Sequence, residues 1–170
     1  MLSSLIPDPL HPAVVHLPIA LVLLLPLFAI GALVAIRRGG RPLVAWGLML
    51  TLLAALVASS WVATETGEQQ EERVEDVVGD GPIHAHEEAA ETFLALAFGV
   101  LVVSAPGLRR GAIGRWSRAA GLAASLALVG AGWNVGHSGG ALVYDYGAAG
   151  AYASGGDARV SLEQEGGDDD

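Results

Sequence analysis

Four apolar runs, each long enough to cross a bilayer as a helix, govern what this chain can fold into. They cover about residues 14–36, 43–63, 87–108 and 119–138, and about 20 helical residues suffice to span the hydrocarbon. Connections between them are short, so successive spans should run antiparallel. Composition agrees: 52% of residues are hydrophobic and only 16% charged, against roughly a quarter charged in soluble domains. The expected fold class is all-α, an integral membrane antiparallel four-helix bundle occupying residues 1–150. An acidic tail, 151–170, is expected to be disordered. The first run reads as a span and not as a cleaved signal, because residues 1–9 hold no basic residue and Arg37 and Arg38 stop the apolar stretch.

Arginine sets the expected orientation. Arg37, Arg38 and Arg41 follow the first span; Arg109, Arg110, Arg115 and Arg118 lie between the third and fourth, and neither connection holds an acid. The positive-inside rule puts both connections in the cytoplasm of a bacterial inner membrane, with both termini on the periplasmic side. Trp46 and Trp116 would then mark the inner interface, and Trp61 and Trp133 the outer one. Residues 64–78 have helical periodicity, with Glu65, Glu68, Glu72 and Glu75 on one face and Val74, Val77 and Val78 on the other. This stretch reads as an acidic outer helical extension of the second span, ended by Gly79-Asp80-Gly81-Pro82.

A net charge of -9 leaves no basic footprint for nucleic acid. The absence of cysteine excludes disulfides, thiolate metal sites and iron–sulfur clusters. No phosphate loop, HExxH or paired nucleophile is present, so no catalytic residue is assigned.

Chemistry concentrates in histidine. His11, His16, His84, His86 and His137 all fall toward the expected outer side. On a helical rise of about 1.5 Å per residue, His16, His86 and His137 reach one height on three helices, with His11 and His84 further out. Neutral imidazoles at one height can ligate haem b or a transition metal. The expected cofactor-binding set is His16, His86 and His137, with His84, Glu87 and Glu91 as a carboxylate–histidine metal set. The competing reading is interfacial hydrogen bonding without a ligand. Pro18 and Pro26 each free a carbonyl within the first span, at Val14 and Val22. Gly132, Gly136 and Gly140 form a stripe that lets a helix approach.

The segment from His11 through Pro12, His16 and Pro18 to Leu21 resembles the HPxxVHFPIAL opening of the bacterial membrane family called domain of unknown function 2231. Thr66-Gly67-Glu68, His86-Glu87-Glu88-Ala89-Ala90-Glu91 and Gly139-Gly140-Ala141-Leu142-Val143-Tyr144 are similar to later segments of that family. Leu17 stands where the family has Phe. The resemblance spans most of residues 9–147 and implies four spans, with no agreed activity. Together these features point to a non-enzymatic redox or metal-binding membrane protein, lying in the lipid bilayer beside other membrane or periplasmic redox subunits. The alternative is a cofactor-free structural or accessory subunit of a larger membrane complex. A transporter would need an internal charged pathway, which the spans lack.

Overall fold

The computed structural model describes residues 9–152. Of the tail expected over 151–170, Ala151 and Tyr152 are described and helical, and the rest lies outside the described residues. The elements are α1 (His11–Val14), α2 (His16–Arg37), α3 (Pro42–Glu68), α4 (Glu71–Val78), α5 (Asp80–Ser104), a short 3-10 helix (Ala105–Leu108) and α6 (Ala112–Tyr144). There is no strand among the described residues. Four helical segments, His11–Arg37, Pro42–Glu68, Asp80–Leu108 and Ala112–Tyr144, are long and apolar enough to cross a membrane.

The turns follow from local chemistry. At the end of α2, Gly39 has φ 96°, a conformation that suits a residue without Cβ. Its N–H bonds to the Ile36 carbonyl at 3.1 Å, and the Gly40 N–H to Ala35 at 2.9 Å. This double closure satisfies carbonyls left over at a helix end. Pro42 then opens α3 at a position where its missing N–H costs nothing. Gly79, at φ 79°, ends α4 and turns the chain directly into α5.

Helix α2 packs on α3 and α6, and α5 packs on the same two helices. The bundle is therefore a closed square in which α2 and α5 are diagonal. Leu25, Ala29, Met49, Leu53, Leu56 and Ala97 are wholly buried along its axis. Outward faces carry large apolar side chains: Leu23, Leu27, Val44, Leu48, Phe98, Val102 and Leu126 are exposed. A water-soluble protein does not present so continuous an apolar surface; in a bilayer those side chains meet lipid.

The arginine-rich end is closed by polar groups reaching for carbonyls. Trp46, expected at an interface, is instead fully buried. Its Nε1–H donates to the Ser104 carbonyl at 2.9 Å. Ser117 Oγ donates to Val103 at 2.6 Å, and the Arg118 guanidinium donates to Gly107 and Arg109. Beyond Ser104 the α-helix gives way to the short 3-10 helix, and carbonyls around this helix end accept from a tryptophan and an arginine drawn inside. Arg115 and Arg118, expected in a connection, belong to the first turns of α6. Trp61, Trp116 and Trp133 do face outward.

At the acidic end, α3 stops at Glu68 and the chain turns at Gln69 and Gln70 before α4. Residues 64–68 thus extend α3 as expected, and the rest of the acidic stretch is a separate helix, α4. The turn beyond α6 covers it: Tyr152 Oη donates to Gln70 Oε1 at 3.1 Å, and Arg73 lies over the Tyr152 ring at 5.3 Å.

Candidate functional site: a two-histidine centre at the acidic end

Two imidazoles meet across the bundle at its acidic end. His11, from the turn preceding α2, and His86, from the diagonal helix α5, have ring centroids 6.3 Å apart and planes at 82°. Each ring is held on its flank by a neighbouring helix. His11 Nδ1 lies 2.8 Å from the Ala63 carbonyl of α3. A carbonyl only accepts, so Nδ1 carries the proton and donates it. Thr66 Oγ1 donates to the same carbonyl at 3.0 Å.

His86 Nδ1 lies 2.9 Å from Ser138 Oγ of α6. The Ser138 hydroxyl donates its own hydrogen to the Val135 carbonyl at 3.0 Å, so toward His86 it accepts. His86 Nδ1 therefore also carries the proton. With Nδ1 as the donor, each ring is left with Nε2 as its acceptor; the Val135 carbonyl also lies within hydrogen-bonding reach of the His86 ring. An anchored Nδ1–H beside an Nε2 lone pair is the arrangement of a metal-ligating histidine.

Two glycines make room for the rings. A Cβ on Gly67 would stand 3.3 Å from His11 Cε1, and one on Gly139 would stand 3.0 Å from His86 Cε1. One helical turn below Ala63, buried Ser60 Oγ has no hydrogen-bond partner among the described residues. The four segments that carry the family resemblance converge here: His11 from the first, Thr66 and Gly67 from the second, His86 from the third and Gly139 from the last.

The expected ligand set is distributed differently. His16 and His137 are exposed, while His86 is half-buried, and the ring facing His86 belongs to His11. His11 stands on the first turn of the first span and faces α3, a rotation about the helix axis that helical rise alone does not anticipate. Ser138, Thr66, Gly67 and Gly139 have no role in the sequence reading; their one signal is adjacency to histidine and threonine within the family-like segments.

A second group lies beside the first. His84 Nδ1 is 3.2 Å from Glu87 Oε2, and ligand atoms of Glu71, His84 and Glu87 all fall within 4.8 Å of one another. The structure thus joins His84 and Glu87 with Glu71, because the turns at Gln70 and Gly79 fold α4 back onto α5. Glu91 stands apart from them, in a groove beside Trp61. The Gly132, Gly136 and Gly140 stripe is not one interface. A Cβ on Gly132 would touch Phe93 and Val22 at 3.4 Å, while Gly136 and Gly140 have open space.

Four apolar spans closed into a helical square, with lipid-facing side chains outside and polar groups gathered at the ends, define an integral membrane protein. The chain belongs to the family described as predicted membrane protein (DUF2231), whose model matches residues 7–151. No curated protein and no solved structure matches it.

Proposed function

We propose that the protein is a non-enzymatic metal-binding membrane protein, with His11 and His86 as its ligating pair. The observation that supports this reading is the shared protonation of the two rings: both Nδ1–H groups are committed to oxygen acceptors, and each ring is left with its Nε2 lone pair. Imidazole nitrogen bonds a metal at about 2.0–2.1 Å, and two neutral imidazoles suit a small transition-metal ion or the axial positions of a haem iron. The bound metal would supply the redox chemistry. The protein's part is to fix ring tautomer and direction through Ala63 and Ser138.

The orientation is part of the proposal. Seven arginines at one end and none of the acids there support a bacterial inner-membrane protein with that end in the cytoplasm. The histidine pair and both termini then face the periplasm, where a redox partner could reach them.

The test is purification after expression with ample haem and metal, followed by an absorption spectrum and metal analysis. A Soret band identifies haem; a stoichiometric ion without one identifies a bare metal. His11→Ala and His86→Ala should each lose the ligand, while His16→Ala and His137→Ala keep it. Wild-type protein carrying neither haem nor metal would overturn the reading in favour of a cofactor-free accessory subunit.

A further inference from the structure

A groove of about 440 Å³ opens sideways between α3 and α5, lined by Val57, Trp61, Glu91, Leu94 and Phe98 among others. Its walls are almost wholly apolar, and Glu91 is the one ionisable residue that borders it. Glu91 is exposed and makes no ion pair or hydrogen bond among the described residues. From Leu108 to Glu91 is about 25 Å on helical rise, within a hydrocarbon layer of about 30 Å. The carboxylate therefore stands at or just inside the membrane boundary of the acidic end. Phe98 is about 10 Å deeper on the same helix. A carboxylate on a lipid-facing surface is costly without a partner.

The groove is graded as an amphiphile is graded. Its upper end pairs a carboxylate with the exposed indole of Trp61, two groups that both attract a cation. Its lower end is hydrocarbon. We propose that it holds a phospholipid of the leaflet at the acidic end, one whose headgroup carries a primary ammonium. The ammonium donates to Glu91 and sits against Trp61, and an acyl chain runs down past Leu94 toward Phe98. Charge argues against a second copy of the chain. A copy in the same orientation brings its own acidic end, with Glu65, Glu68, Glu87 and Glu88, against the same carboxylate.

The experiment is native mass spectrometry of the intact protein, titrated in micelles with phosphatidylethanolamine and, separately, with phosphatidylglycerol. Wild type should bind the ethanolamine lipid about tenfold more tightly, the scale of one charge-assisted hydrogen bond. Glu91→Gln preserves size and removes the charge, so the preference should disappear. Trp61→Leu should reduce it. Circular dichroism confirms that each variant keeps its helices, and the exposure of both side chains makes that the expected result. Equal binding of the two lipids by wild type, as when a basic transmembrane helix occupies the groove instead, overturns the proposal. So does a preference that survives in Glu91→Gln.

Discussion

The rings of His11 and His86 face each other at 82° with 6.3 Å between centroids, although the two residues belong to segments that are diagonal in the bundle. What holds them is not their own helices but α3 and α6, through the Ala63 carbonyl and the Ser138 hydroxyl. Ser138→Ala should therefore weaken metal binding about 10- to 100-fold, the usual cost of losing a group that orients a ligand. Metal titration of the purified variant measures this. Unchanged affinity would show that Ser138 orients nothing.

Glycine substitutions should separate the crowded positions from the open ones. Gly139→Ala places a methyl 3.0 Å from His86 Cε1 and should lower metal affinity while the helices stay inserted. Gly136→Leu should leave thermal stability in detergent within about 0.5 kcal/mol of wild type, as surface changes do. A large destabilisation at Gly136 would mean that α6 is rotated from the orientation seen here.

The arginine-rich end should be the most sensitive to packing. A Cβ on Gly121 would stand 2.6 Å from Ser104 Oγ and 3.0 Å from the Trp46 ring, and neither buried neighbour has room to move. Gly121→Ala should cost about 1–3 kcal/mol by overpacking. Trp46→Phe removes the buried indole donor to the Ser104 carbonyl and should cost about 0.5–1.5 kcal/mol. Melting in detergent, read by circular dichroism, checks both.

Acidity should tighten the corner between α4 and α5. A hydrogen bond with Asp80, reinforced by the negative charge of that residue, raises the Glu75 carboxyl above its ordinary pKa. A raised folded-state pKa means that the proton is held more firmly folded than unfolded. The stabilisation is fully present below the ordinary glutamate pKa and fades as pH rises through the raised one. Carbon-13 NMR of the Glu75 side chain should show an elevated midpoint, and Asp80→Asn should bring it down. A midpoint indifferent to that change would remove Asp80 as the cause.

Topology is checked with a reporter that works only in the periplasm. Fused after Asp170 it should be active, and inserted between Gly39 and Gly40 it should be silent. The opposite pattern would invert the orientation and move the histidine pair to the cytoplasmic face.

Much of the fold was legible because each signal is local. Run length marked the four spans, and Gly79 marked the turn that ends the acidic helix. The helices nevertheless run past the apolar runs, α5 beginning at Asp80 and α6 ending at Tyr144, because polar residues continue a helix once it leaves the hydrocarbon. The site was legible only in part. His86 and the general height of the histidines were readable, but the partnership with His11 was not.

The sequence by itself determined how many helices can cross the membrane and which end is acidic, since hydropathy and charge act residue by residue against a layered solvent. Only the tertiary structure decided which faces meet. In water, the polar side of a helix betrays its buried side. In a bilayer, lipid-facing Leu27 and core-facing Leu25 are the same residue type, so rotation about each axis leaves no trace in the pattern. The meeting of His11 with His86, the burial of Trp46 and the open space at Gly136 all depend on that rotation. They were fixed by close packing and by carbonyls that needed donors.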